Sequence, residues 1–229
     1  MGLINPNGSP IESRPVFSMG RGSSFANGGI TTYLSRHELG LVRGNSGARV
    51  MRVVYDMIAV KHFGDVWFAV GPRGIWRVDV GCTEMDFVEQ LIHSGVTVIK
   101  DRKATAETRR NLTEFFAGTR RSFQLKIDWS RVDGFTRKAL QVAARIPYGQ
   151  TMSYGEIAAR AGCPGAARAA GTAMSKNPFP IFVPCHRVIK SDGSLGGYGG
   201  SPQHKCFLLK REGIDPEQMP GGTGAANRR

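Results

Sequence analysis

At 229 residues the chain is long enough for one or two domains with a real core. Its formal net charge of +13 favours an acidic partner, nucleic acid first, and gives little reason to expect a basic one. No apolar run approaches the roughly 18 residues of a membrane span, the N-terminus lacks the pattern of a secretory signal, and Cys82, Cys163, Cys185 and Cys206 form no metal-ligand spacing, so a reduced, metal-free cytoplasmic protein is expected.

Residues 1–50 read as a poorly ordered leader or an upstream extension. Asn5-Pro6-Asn7-Gly8-Ser9-Pro10 and Gly20-Arg21-Gly22-Ser23-Ser24 are turn and linker chemistry without periodic apolar positions. From Arg52 to Val80 three β-rich runs follow one another, separated by Gly64-Asp65 and Gly71-Pro72-Arg73-Gly74. This pattern predicts an antiparallel meander of three strands. Phe87, Val88, Leu91 and Ile92 at helical spacing predict a helix over Met85–His93. Leu112, Phe115 and Phe116 predict another over Thr108–Ala117, closed by Gly118. Residues 51–130 show no chemistry of their own and read as an α/β support domain.

The second half, 131–215, opens with a predicted helix over Phe135–Arg145. Ser153, with Glu156 three residues on, forms a capping box that starts a helix over Tyr154–Ala161, and Gly162 ends it. Pro164 sits where a first helical turn accepts proline, which starts a helix over Gly165–Ser175. Two helices joined by a turn only hint at DNA by themselves. In the second of them Ala166, Ala167, Ala169, Ala170, Gly171 and Ala173 surround one long side chain, Arg168. Such a helix either packs on a neighbour with Arg168 in solvent, or lets its backbone approach another surface closely. The DNA minor groove, about 6 Å wide, would demand the latter.

The stretch Asn177–Gly200 reads NPFPIFVPCHRVIKSDGSLGGYGG. Cysteine attacks as the thiolate, and a neighbouring imidazole is one of few side chains able to favour that form near neutral pH. Adjacent residues of a strand point to opposite faces, so Cys185 and His186 would need a bridging water or a kink at Pro184 to cooperate. A Cys-His pair alone is more often structural than chemical. Residues 216–229, rich in Gly and ending Arg228-Arg229, read as a flexible basic tail able to attract phosphates.

The run Pro147–Gly200, with Pro184-Cys185-His186-Arg187-Val188 followed by Gly197-Tyr198-Gly199-Gly200, closely resembles the active-site domain of the O6-alkylguanine-DNA alkyltransferases, the methylated-DNA–protein-cysteine methyltransferases. The match is near gapless and continues through Leu208-Leu209 and Glu212-Gly213. The resemblance implies an α/β N-terminal domain with a small three-stranded antiparallel sheet (RNase H-like), joined to a mostly α winged helix-turn-helix domain. It implies irreversible, stoichiometric transfer of an alkyl group from O6-alkylguanine, and from O4-alkylthymine, in double-stranded DNA to Cys185, by a monomer without cofactors. His186 would take the thiol proton through a water and Glu212 would orient the imidazole. Tyr154 would crowd the target phosphate and donate to the departing base.

On the same resemblance Arg168 replaces the flipped nucleotide in the stack, while Ala166, Ala167, Ala169 and Gly171 line the groove, with Thr136 and Ser191 at the DNA. Asn177 becomes a hinge, and Val188, Tyr198, Gly199 and Gly200 wall the pocket. Arg187 is expected to make structural hydrogen bonds, and Cys82, Cys163 and Cys206 to pack. Two positions depart from the family pattern. Leu140 stands where a Trp is common, and Gly199 where some members carry a hydroxyl. The rival readings are a DNA-binding protein without chemistry, which the presence of Cys185 opposes, and a cysteine hydrolase, for which adjacent Cys and His is the wrong geometry and no oxyanion-hole motif is visible.

Overall fold

The computed structural model describes residues 41–43, 49–199 and 201–219. Most of the expected leader, Gly200 and the tail from 220 onward lie outside the described residues. The described part of the leader is not all linker, because it supplies a first strand, β1 (Leu41–Arg43), and the start of the second.

The predicted meander is present as β2 (Arg49–Val60), β3 (Gly64–Gly71) and β4 (Gly74–Val80), paired antiparallel in order. The expectation of a small three-stranded antiparallel sheet is corrected in two places. β1 pairs antiparallel with β2, and β5 (Thr97–Lys100) pairs parallel with it, Arg52 opposite Thr97, giving a five-stranded mixed sheet. Four residues after a Gly turn carry too little pattern to announce a strand, and β5 exists because the edge of β2 is there to receive it.

Both faces of the sheet are covered, which explains why β2 and β3 are nearly continuous apolar runs. One face, with Val53, Tyr55, Trp67 and Trp76, packs on Phe87 and Leu91 of α1 (Glu84–His93). The other, with Ile58, Val66, Phe68 and Val78, meets Leu112 and Phe115 of α2 (Ala106–Ala117) and the whole second half of the chain. A bulge in the β3–β4 ladder makes Trp76 the extra residue, so Ile75 and Val78 face the same side despite their odd spacing.

The second half holds α3 (Gly134–Ala143), α4 (Tyr154–Arg160), α5 (Ala167–Ser175) and α6 (Pro202–Arg211), with a two-stranded parallel ladder of β6 (Met152–Ser153) and β7 (Val188–Ile189). Ser153 and Glu156 form the predicted reciprocal cap, the Ser153 oxygen accepting from the Glu156 N–H at 3.2 Å. Pro164 does not open α5. It occupies the second position of a turn whose third residue, Gly165, has φ +85°, and the Ala166 N–H closes it on the Cys163 carbonyl at 3.2 Å. Pro-Gly is a better type II turn than a helix start. α5 therefore begins at Ala167, two residues later than predicted.

The two halves share one core. Phe63 of the β2–β3 turn stacks near Phe207 of α6 at 5.1 Å, and Phe123 of the connecting segment meets Phe182 at 4.7 Å. The edge of β4 is also used: the Val78 N–H donates to the Pro178 carbonyl at 2.9 Å, one residue past Asn177. The sheet thus buttresses the segment that carries the Cys-His pair.

Candidate active site

Cys185 and His186 do not lie on a strand. Pro184 breaks the extended run, and Cys185–Arg187 form a single 3-10 turn closed by the Arg187 N–H on the Pro184 carbonyl at 2.9 Å, after which the chain becomes β7. The opposite-face problem of adjacent strand residues therefore does not arise. Upstream, the chain doubles back tightly: the Val183 N–H returns to the Phe179 carbonyl at 2.8 Å, and Ile181 adopts φ +75°. A buried β-branched residue in that region costs on the order of 1–3 kcal/mol, offset here by the packing of Phe179, Ile181 and Val183, each at most 1 % exposed.

Asn177 is the first fixed point of the site. Its side-chain amide donates to the Val183 carbonyl at 2.9 Å and to Cys185 Sγ at 3.1 Å, while its oxygen accepts from the Phe179 N–H at 3.0 Å. Every polar atom of this side chain therefore pins the loop that presents the thiol.

The second fixed point is Glu212, at the C-terminus of α6. Its carboxylate accepts from His186 Nε2 at 2.9 Å, from Arg187 Nε and Nη2 at 2.8 Å each, and from the Gly149 N–H at 3.2 Å. Burial opposes the charge, but the hydrogen bonds from His186 and Arg187 prevail and hold the Glu212 carboxyl at about 2. An ionised carboxylate only accepts, so His186 carries its proton on Nε2 and keeps a lone pair on Nδ1. That Nδ1 is buried and has no protein partner among the described residues. Burial also pulls the imidazole below its ordinary value, Glu212 opposing, so His186 rests neutral and able to accept a proton.

Around the thiol, burial pushes Cys185 up and favours the protonated form at rest, with Asn177, Lys205 and Tyr198 pulling the other way. The Tyr198 hydroxyl is buried beside Cys185, and burial together with the facing thiol raises it far above the usual range. Tyr154 is half-buried and raised for the same two reasons, so both phenols stay protonated donors. The Tyr154 hydroxyl donates to the Gly197 carbonyl at 2.8 Å, which closes the glycine loop over the ring. Gly196 is required there: its φ is +68°, and a Cβ would sit 2.8 Å from the Tyr154 ring. At Gly199 a Cβ would meet the Ser175 carbonyl oxygen at 2.5 Å, so no side chain fits this backbone position.

The remaining expected residues are dispersed as follows. On α5, Ala170, Ala173 and Met174 face the core, while Arg168 and Ala169 are exposed; Ala166, Ala167 and Gly171 are half-buried. Thr136 is half-buried on α3, Ser191 is exposed in the turn after β7, and Val188 is fully buried. Cys163 is exposed in the turn between α4 and α5, which corrects its expected packing role; Cys82 and Cys206 are half-buried. The expected structural role of Arg187 takes a definite form, since it also donates to the Ile146 carbonyl at 2.5 Å.

Sequence reasoning missed Lys205 and the Ile146–Gly149 loop. Lys205 is 1 % exposed, and its ammonium donates to the Val188 carbonyl at 2.6 Å and to the Leu195 carbonyl. Its spacing held the signal: it precedes the core residues Leu208 and Leu209 by three and four positions, which puts it on the buried face of α6. The loop holds Arg187 and Glu212 through the Ile146 carbonyl and the Gly149 N–H, and Tyr148 donates to the Arg211 carbonyl at 2.8 Å. A cleft of about 430 Å³ between α3 and α4, lined by Arg145, Gln150, Glu156 and Arg160 among others, does not include the thiol. Among the described residues no three His, Cys, Asp or Glu side chains gather as a metal site, and no helix is long and apolar enough to cross a membrane.

Comparison with known proteins meets the same residues. A family model described as the 6-O-methylguanine DNA methyltransferase DNA-binding domain matches residues 134–214. The methylated-DNA–protein-cysteine methyltransferase of Mycobacterium bovis is 48% identical over 152 residues, covering 66% of this chain and 92% of that protein. The crystal structure of Mycobacterium tuberculosis O6-methylguanine methyltransferase aligns with a TM-score of 0.58 at 34% identity, over 70% of this chain and 92% of the other. The same organism's OGT in complex with DNA gives 0.57 at 33%, over 69% and 92%.

Proposed function

The chain belongs to the methylated-DNA–protein-cysteine methyltransferase family, and from that premise we propose that it repairs DNA by moving an alkyl group from O6 of guanine, or O4 of thymine, onto its own Cys185. The observation that carries this reading is the joint arrangement of Asn177 on the thiol and Glu212 on the imidazole. It fixes the nucleophile and leaves the basic Nδ1 of His186 as the free acceptor.

The thiol is 3 % exposed, so the base must come to it. Extruding a nucleotide costs a few kcal/mol, less for a damaged and poorly paired base. The α4–α5 pair would act as a helix-turn-helix, with α5 in the minor groove, where its small residues permit close approach. Arg168, exposed on that helix, would fill the space the nucleotide leaves. Gly197, Tyr198 and Gly199 would wall the pocket. Thr136 and Ser191 would contact the backbone of the DNA.

In the chemical step the Cys185 proton passes through a water to His186 Nδ1. Sγ attacks the alkyl carbon, the S–C bond forms, and the C–O bond breaks with its electron pair going to O6. The Tyr154 hydroxyl donates to a ring nitrogen of the departing base and is reprotonated from the thiol's proton. The sum is thiol plus alkylguanine giving thioether plus guanine. A thioether has no leaving group to release under these conditions, so each molecule acts once.

Peptide mass spectrometry after mixing with an oligonucleotide containing O6-methylguanine tests this. One methyl gained on the Cys185 peptide, and none in Cys185→Ala, is the expected result. Tight binding without any mass gain would make the chain a damage-recognition protein and overturn the transfer reading.

A further inference from the structure

Lys205 is buried, charged and outside the mechanism just described. It leaves α6 beneath the pocket and donates to two carbonyls: Val188, three residues after the nucleophile, and Leu195, at the entry to the glycine loop. It also lies 5.8 Å from the centroid of the Tyr154 ring. An ammonium has three donors, and no carboxylate pairs with this one among the described residues. A buried ammonium without a counter-ion is costly even when its protons are bonded, which raises the question of its use.

The charges around it indicate that use. Arg187 is matched by Glu212, which leaves that pair close to neutral, and His186 rests uncharged. The other ionisable groups facing the thiol and the ammonium are Tyr154 from α4, Tyr198 from the glycine loop and Cys206 from α6, all neutral when protonated. Lys205 is therefore the one cation near Cys185, among the described residues, without a carboxylate of its own.

We propose that Lys205 is a positioning residue for the transfer: its ammonium ties the strand leaving the nucleophile to the loop that walls the pocket, and supplies the fixed positive charge against which the Cys185 thiolate forms. The proposal rests on the transfer reading for its purpose, and its own content is the ionisation of one thiol. Burial pulls the ammonium down, the Cys185 and Cys206 thiols pull the other way as they ionise, and the balance leaves it at about 8. The same charge opposes protonation of His186, so it keeps the base free while it favours the anion. The arrangement gives thiolate stabilisation without requiring a standing imidazolium.

The test is the titration of Cys185 by thiolate ultraviolet absorbance in the full chain. It is taken as the difference between each protein and its Cys185→Ser counterpart, in wild type, Lys205→Met and Lys205→Arg. The expected result is a rise of roughly one unit in the thiol midpoint for Lys205→Met, with Lys205→Arg close to wild type. Loss of methyl transfer in Lys205→Met with an unchanged midpoint would reduce Lys205 to a loop clamp and overturn the electrostatic role. If Lys205→Met does not fold, carbon-13 NMR of the lysine side chains in wild type and Cys185→Ser decides the matter. Lys205 should hold its proton to higher pH in wild type, and equal midpoints overturn the proposal. Neither the thiol titration nor the lysine titration uses DNA, so failure of the transfer reading would be seen separately.

Discussion

Two buried carboxylates, each held by an arginine, anchor the two halves of the molecule, and they differ in their third partner. Asp56 on β2 accepts from Arg109 Nε and from the Thr105 hydroxyl, both at 3.0 Å, and so ties the sheet to α2. Glu212 accepts from Arg187 and from His186, and so ties α6 to the nucleophile turn. Threonine gives its one proton and the chain of hydrogen bonds ends there. Histidine gives one proton and keeps a second nitrogen on the far side of the ring. The same structural grip is therefore inert at Asp56 and chemically useful at Glu212, and the third side chain, not the ion pair, makes the difference.

The largest expected effects come from breaking the two grips in parallel. Glu212→Gln strands Arg187, itself 6 % exposed, and should cost about 3–5 kcal/mol in denaturant unfolding. It should also slow single-turnover methyl transfer per folded molecule on the order of 100-fold, because the imidazole loses the carboxylate that fixes its tautomer. Asp56→Asn should cost about 3 kcal/mol, at the low end because Arg109 reaches solvent, with transfer by the folded fraction unchanged. Equal slowing of transfer in both variants would show that the Asp56 grip also shapes the site.

The pH dependence sharpens the contrast next. Burial holds His186 below its ordinary 6.5, so the base stays unprotonated through that pH. Transfer rates should be flat through pH 6.5 and fall only below it, and a half-maximal rate at or above 6.5 would contradict a buried neutral base. Stability has a separate acid limb. The Glu212 carboxyl is depressed to about 2 from an ordinary 4.5, so its contribution is fully present above 4.5 and is lost as pH falls toward 2. Acid unfolding of Glu212→Gln should lack that part of the slope.

What the sequence disclosed and what it hid divide along the same physical line. Features settled within a few residues were legible: the Ser153–Glu156 box, the left-handed Gly118 that stops α2, the meander and the Pro-Cys-His-Arg-Val segment. Features that depend on a distant partner were not. β5 is four residues that become a strand only beside β2, and the Pro164-Gly165 turn outcompetes a helix start that looked adequate in isolation. Lys205 was missed: its spacing to Leu208 and Leu209 marks the buried face of α6, but its acceptors, Val188 and Leu195, are brought to it only by the fold. The sequence leaves the Cys-His relation open between a bridging water and a kink at Pro184, and the kink is what forms, as a turn over Cys185–Arg187.

The smallest predicted effect tests the third partner directly. Thr105→Val keeps the shape of the side chain and removes the hydroxyl whose single proton is shared between Asp56 at 3.0 Å and the Asp101 carbonyl at 2.8 Å. Asp56 keeps Arg109 and the Met57 N–H at 2.8 Å, so no buried charge is stranded. The loss should be about 1 kcal/mol in chemical denaturation, with the transfer rate and its pH profile unchanged. The corresponding change at the other carboxylate, His186→Gln, also leaves Arg187 on Glu212 and should cost a comparable amount of stability, yet it removes the basic nitrogen and with it most of the transfer. If the two variants lose transfer to a similar extent, the imidazole is acting as a strut like the threonine, and proton removal from Cys185 must be assigned to another group.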